Sequence, residues 1–386
     1  MTFSPDVQQA IEMCRYCFMC RHANPTFLVT KLDSHTPRGY ALLISRIEAG
    51  LDDWTVDVAE KLYQSTLDGL CRELCGFHWA ENDVVRAGRE EAIRHGVVPP
   101  PVRNAIGDLL ADPDLPLPPE ALDQLGARCD RTGAQVLYLT GRLARSEAPD
   151  LILAMAAILD GSGADWTVLQ REPDSGAELW DLGLSAEARD AGRRLVATVA
   201  ELGPRLIVTG DAHACHALRE LYPSWGLDGL RGVEILHVAE YLAQGIASGA
   251  RPLAAAADVG KVAYHDSCRL GRGLRVIAAP RAVITAVTGR PPVEFPHSGL
   301  VAECCGGGSL LYVTYPALSR AMGEARLRSI LDAGVDTIVS ACPTCRRVLR
   351  DAARAAGLGI RVMDLTELVV VAAKDGAATS NIGGTV

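Results

Sequence analysis

The sequence predicts an α/β protein in which a helical N-terminal segment precedes two α/β halves that repeat each other. Three observations carry this prediction. Residues 1–104 combine helical spacing of apolar residues, as in VAEKLYQSTLDGLCREL at 58–74, with the first five cysteines. Further on, short apolar runs alternate with longer Ala- and Leu-rich helical ones, the rhythm of parallel sheets. Finally, QVLYLTGR at 135–142 matches KVAYHDSC at 261–268, and LIVTGDAHACHALR at 206–219 matches TIVSACPTCRRVLR at 337–350. The repeat divides the rest of the chain into halves at 123–255 and 256–386.

Taken in order, the strand candidates are 134–141, 165–170, 205–211, 260–267 and 336–343. The segment VVPPPVRN at 97–104 and the proline-rich ADPDLPLPPEAL at 111–122 read as a connection between domains. With 38 basic and 47 acidic residues the formal charge is 38 − 47 = −9, so no basic surface points to nucleic acid. Met1 to Gln9 is too polar for a signal peptide, and the longest apolar runs are too short to cross a bilayer. A cytoplasmic protein is expected, with any attachment to the inner face of a membrane peripheral.

Twelve cysteines in a chain without a secretion signal are poorly explained by disulfides, because the cytosol keeps thiols reduced. Their grouping points to metal or cluster ligation. In CRYCFMCRHANP, Cys14, Cys17 and Cys20 are the first three cysteines of the ferredoxin run C-x2-C-x2-C-x3-C-P, and Asn24 replaces the fourth. A second run survives in STLDGLCRELCG at 65–76, where Ser65 and Asp68 hold the first two ligand positions, Cys71 the third and Cys75 the fourth. In two-cluster ferredoxins the fourth cysteine of each run serves the other cluster. One site therefore keeps Cys14, Cys17, Cys20 and Cys75, whereas the other has lost Asn24, Ser65 and Asp68 together, leaving Cys71 as a spare thiol. A single cubane 4Fe-4S cluster is expected there; tetrahedral zinc is the alternative for four cysteines.

The second group is Cys268, the vicinal pair Cys304 and Cys305, and the C-x2-C pair Cys342 and Cys345, with 35 residues in the first gap and 36 in the second. These thiols converge if their loops meet at the carboxyl ends of neighbouring parallel strands. Adjacent side chains on a regular strand face opposite ways, so Cys304 and Cys305 need an irregular turn, for which Gly306 to Gly308 offer positive φ. The first half has exchanged every one of these ligands: Arg142 stands against Cys268, Asp174 and Ser175 against the vicinal pair, Asp211 against Cys342 and Ala214 against Cys345.

HDSCRLGRG, ECCGGGS and ACPTC resemble the cysteine-rich CCG domain of the heterodisulfide reductase B subunit and of the iron-sulfur subunits of glycolate oxidase, lactate-utilisation and anaerobic glycerol-3-phosphate dehydrogenase systems. The N-terminal segment is similar to the ferredoxin-like domain of the last three. The resemblance implies a second 4Fe-4S cluster, noncubane in heterodisulfide reductase, with an ordinary cubane or zinc in other members. It also implies a partner: an FAD-containing dehydrogenase subunit that oxidises a small 2-hydroxy acid or polyol, from which electrons pass through this chain to a quinone or another carrier. The alternatives are a heterodisulfide-reductase-like subunit whose CCG cluster itself cleaves a disulfide, and a structural zinc scaffold.

Other residues carry further readings. His213, Cys215 and His216 form either a metal site or a helix start; His265 and Asp266 either donate to cluster sulfur or brace the loop; Arg269 and Arg272 balance cluster charge; Cys129 packs as a small apolar residue.

Overall fold

The structure, a computed structural model, describes residues 3–249 and 259–380. The expected boundary between the halves, at residues 255 and 256, lies outside the described residues.

Seven helices build the N-terminal layer: α1 (Pro5–Cys14), α2 (Pro25–Thr30), α3 (Pro37–Glu48), α4 (Val56–Tyr63), α5 (Leu70–Leu74), α6 (Glu81–Arg94) and α7 (Pro100–Ala111). Local chemistry sets several starts. The side chains of Ser4, Asn24, Thr36 and Thr55 each accept a hydrogen bond from a backbone N–H of the first turn, and Pro5, Pro25 and Pro37 fill a first position that needs no donor. Val7, Ala10, Ile11, Tyr40, Ile44, Leu62, Val84 and Val85 pack as the shared core of α1, α3, α4 and α6.

The helix expected over 58–74 is broken between Tyr63 and Leu70. Arg89 of α6 donates to the carbonyls of Leu62 and Ser65, capturing acceptors that a continued helix would use, and Leu67 lies at φ 49°. The expected connections are also structured. Prolines at 99–101 start α7 rather than an extended linker. Within 111–122, β1 (Asp114–Pro116) pairs antiparallel with a later strand of the first half.

All five strand candidates are present, as β2 (Val136–Leu139), β3 (Trp166–Val168), β5 (Leu206–Thr209), β7 (Val262–His265) and β9 (Thr337–Ser340). The remaining strands are β4 (Arg171–Pro173), the partner of β1, with β6 (Glu234–His237), β8 (Val293–Glu294) and β10 (Arg361–Asp364). Two four-stranded sheets result, β3-β2-β5-β6 and β8-β7-β9-β10, parallel throughout. Strand order is the same in both, and the strands that the sequence repeat aligns, β2 with β7 and β5 with β9, hold the same central positions. Helices cover them, so VLYL, VAYH and TIVS are buried at every residue, which explains their unbroken apolar character.

The halves are not independent. One apolar core runs through both, from Val208 and Leu236 to Ala263 and Ile338, and it includes Cys304, Cys305, Cys342 and Cys345. Helix Val238–Ala247 packs on Ala278–Thr288, and Pro149–Gly161 packs on Leu365–Ser380. The carboxyl ends of β7 and β9 consequently open toward the first half.

Candidate iron-sulfur site

Cys268 follows β7 by three residues and Cys342 follows β9 by two, so both lie at the carboxyl edge of one sheet on adjacent strands. Pro343 starts the helix that carries Cys345 within its first turn. The loop before Ser309 supplies Cys304 and Cys305. Each is buried, and backbone N–H groups fix their sulfurs: Gly306 donates to Cys304 Sγ at 3.3 Å and Gly307 to Cys305 Sγ at 3.4 Å.

The glycines act differently from the sequence expectation. Gly306 alone of the three has positive φ, at 95°. Gly307 and Gly308 are needed for close approach, since an added Cβ would stand 2.7 Å from Thr344 Cγ2 and 2.1 Å from Thr66 O respectively. The left-handed backbone is instead carried by Ser309 and Leu310, at φ 54° and 55°. Arg89 holds that strained step by donating to Ser309 Oγ at 3.0 Å.

The five thiols form one contiguous array. Cys268 hydrogen-bonds Cys304, Cys304 its neighbour Cys305, Cys305 reaches Cys345 at 3.4 Å between sulfurs, and Cys345 meets Cys342. All five are free thiols. Hydrogen bonds from Cys304 and Cys345 lower the pKa of Cys305, and those from Cys345 and His213 lower that of Cys342. Cys268, Cys304 and Cys345 stay protonated: the bond to Cys304 and burial raise Cys268, the bonds to Cys305 and Cys342 raise Cys345, and the bond to Cys305 with burial raises Cys304 against the opposing bond from Cys268.

A row of five sulfurs, four of them buried, part ionised and with the His213 imidazole as the cation in contact, fits a thiophilic metal centre better than an apolar core. Metal ligation requires thiolates, so filling the array must expel the retained protons. In a Cys14→Ser chain, which removes the N-terminal set, titration of the metal-free protein with Co2+ in weak buffer is expected to release roughly two to three protons per ion at neutral pH, with affinity rising as pH rises. Co2+ uptake without acidification would contradict this protonation pattern.

His265 resolves toward the sulfur-facing reading. Its Nδ1 accepts from Arg326 Nε at 3.3 Å, which leaves the proton on Nε2, and burial with the nearby Arg326 charge drops its pKa to about 3. That Nε2 has no protein partner, and a ring nitrogen of His265 lies within 4.8 Å of the Cys305 and Cys345 sulfurs. Asp266 braces instead, bound to both Arg281 nitrogens at 2.8 Å and to the Gly299 N–H.

His213, from the other half, also reaches the array. Asp211 caps the helix Ala212–His216 by accepting from the His213 and Ala214 N–H groups, as the helix-start reading expects. The imidazole is turned to Cys342; burial opposes its charging, but that bond and the charges of Cys342 and Glu178 raise its pKa to about 10. Cys215 faces Arg219, and His216 lines a cavity beside Gly273, so the three do not gather as a metal site. The sequence carried a weak signal for His213, which aligns with Thr344, next to Cys345, in the repeat.

Arg269 and Arg272 do not stand as free charges. Arg269 pairs with Asp181, and Arg272 binds Asp68 while donating to the carbonyls of Leu300 and Ala302, just before Cys304. Cys129 is half-buried with its thiol on Leu125 O. In the first half the exchanged ligands have found structural partners: Arg142 binds Asp174 Oδ2 at 2.6 Å, Asp174 Oδ1 accepts from Gly176, and Ser175 O accepts from Tyr222.

At the N-terminus, burial and then the charges of Cys20, Cys75, Glu81 and Cys17 push the Cys14 thiol up to about 12, so the other three expected ligands are near enough to act on it. Cys71 is buried beside them, hydrogen-bonded to Cys20 and to Asn24 Nδ2 at 3.6 Å. With Asp68 tied to Arg272, the second ferredoxin position has become a polar seam against the loop that precedes Cys304.

The parallel sheet of the second half and its row of cysteines make that half a cysteine-rich domain. The family model of the cysteine-rich domain CCG matches residues 262–350, which hold all five thiols. Over 323 residues the chain is 28% identical to the D subunit of the dihydromethanophenazine:CoB--CoM heterodisulfide reductase of Methanosarcina barkeri, covering 81% of this chain and 78% of that one. It is 26% identical to the B subunit of the fumarate reductase (CoM/CoB) of Methanothermobacter marburgensis, covering 82% of this chain but 63% of the relative. A hypothetical protein from Helicobacter pylori shares the fold, with a TM-score of 0.60 at 12% identity over 96% of this chain and 73% of that one. Among the described residues no helix is long and apolar enough to cross a membrane.

Proposed function

We propose that the chain is the iron-sulfur electron-transfer subunit of a multi-subunit oxidoreductase. It takes electrons from an FAD-containing subunit that oxidises a small 2-hydroxy acid or similar substrate and passes them to a quinone or another carrier. The observation that carries this reading is the presence of two separate thiol sets joined by a polar seam: Cys14, Cys17, Cys20 and Cys75 on one side, and Cys268, Cys304, Cys305, Cys342 and Cys345 on the other. The first set suits a cubane 4Fe-4S cluster. Five thiolates exceed what a cubane takes, so the second set favours a noncubane 4Fe-4S centre. Such clusters supply reversible one-electron chemistry, at potentials set by burial and by hydrogen bonds to sulfur. Here the chain's own contribution is to bury four of the five thiols of the second set, to aim the Gly306 and Gly307 N–H groups at its sulfurs, and to bring His265 and His213 against it.

Anaerobic affinity purification tests the assignment. A flavoprotein that copurifies in stoichiometric amount is the expected result, and a fully iron-loaded chain without one contradicts it. The ligand choice has its own test: Cys75→Ser is expected to remove the N-terminal centre's iron, whereas Cys71→Ser leaves it, as read by iron assay. Equal loss in both variants would assign Cys71 to the centre.

The similarity to a heterodisulfide reductase chain favours one second reading, reduction of a disulfide at the CCG centre. Ion pairs where the first half would hold a second such centre count against it. Reoxidation of the reduced chain by a small disulfide would support it.

A further inference from the structure

Six large apolar side chains stand in solvent around the N-terminal thiols: Met13, Tyr16, Phe18, Met19, Leu74 and Phe77. Each lies within two residues of Cys14, Cys17, Cys20 or Cys75, and Cys17 is itself exposed. Tyr16 and Phe77 are 71% and 75% exposed. Scattered apolar residues are normal on a protein surface, but these are concentrated: among the described residues, every exposed Phe, Tyr and Met belongs to this ring.

The ring has a sign. The chain carries −9 overall, yet residues 13–22 contain Arg15 and Arg21 and no acidic residue, and of the carboxylates that flank the ring Glu73 is paired with Arg275 while Glu12 accepts from Gln8. Arg21 is neutralised by Asp33. Arg15 lies over the Tyr16 ring at 5.0 Å and Arg38 over Phe18 at 4.2 Å, and the Nε atom of each is buried without a hydrogen-bond partner.

We propose that this ring is the docking face for a protein electron carrier whose surface is acidic around an apolar contact, and that electrons cross to or from the N-terminal centre there. The proposal rests on the N-terminal thiols holding a cluster. Interface cores favour aromatic residues, Met and Arg, and complementary charge speeds and orients the encounter. A lipid surface fits less well. Anionic membranes are held by groups of roughly four to eight basic residues, whereas this face offers Arg15 and Arg38, the latter also acting on Asp33, and the guanidinium groups of Arg21 and Arg38 both lie over the Phe18 ring.

The test uses the fully loaded chain with reduced flavodoxin, an acidic FMN protein, as the probe. Photoreduced deazaflavin, which needs no docking face, is the control reductant. In Arg15→Glu/Arg38→Glu and in Phe77→Ser, reduction of the N-terminal centre by flavodoxin is expected to slow by roughly tenfold or more, and the wild-type rate to fall with rising salt. The deazaflavin rate stays unchanged. Equal flavodoxin rates in all three proteins, or a wild-type rate indifferent to salt, overturn the proposal. Wild-type binding to phosphatidylserine-containing vesicles that the arginine variant loses would assign the face to lipid and overturn it equally. Iron assay before any partner is added separates the other failure, because a chain without N-terminal iron removes the cluster reading and the proposal with it.

Discussion

Cys305→Ser is expected to lower the iron and acid-labile sulfide of the anaerobically isolated chain by about half, from roughly eight to roughly four of each, while the N-terminal centre keeps its spectrum. Cys305 is the middle of the array: it touches Cys304 and Cys345, receives the Gly307 N–H and lies within reach of His265. Serine nearly matches its volume, so packing survives, but an alcohol is a poor ligand for thiophilic iron. Cys129→Ser and Cys215→Ser, outside both sets, are expected to leave the iron content unchanged. Full iron content in Cys305→Ser would remove the vicinal pair from the site.

Arg89→Ala is expected to destabilise the chain by about 3–5 kcal/mol, read from the denaturant midpoint. The side chain is fully buried. It donates to Leu62 O, Ser65 O, Asp181 O and Ser309 Oγ, so one guanidinium joins the N-terminal helices to the first half and to the loop that carries the vicinal cysteines. Alanine would leave these acceptors buried and unpaired. Lysine, with one ammonium in place of a planar fork, is expected to recover only part of the loss. A shift below about 1 kcal/mol for Arg89→Ala would mean that the joint is held elsewhere.

The parallel strands were legible because a strand buried on both faces writes a continuous apolar run, and VLYL, LIVT, VAYH and TIVS are such runs. The sequence expects the five thiols to converge if their loops meet at one sheet edge, and Cys268 and Cys342 do follow adjacent strands of one sheet. What escaped the sequence depends on contacts between distant segments. Arg89 ends a helix that local propensity would extend. Gly307 and Gly308 answer to Thr344 and Thr66 rather than to their own φ angles. The pairing of β1 with β4 lies in a proline-rich stretch that reads as linker. His213 belongs to the half whose ligands are gone, yet its ring serves the half that keeps them. The two α/β halves thus share a site although only one carries its cysteines.

The most direct test of the account is elemental and spectroscopic: iron, zinc and acid-labile sulfide measured on the anaerobically purified chain, with EPR of its reduced and oxidised forms. Roughly eight iron and eight sulfide per chain are expected, with two distinct iron-sulfur signals, of which Cys17→Ser removes one and Cys305→Ser the other. Stoichiometric zinc with no acid-labile sulfide would contradict it.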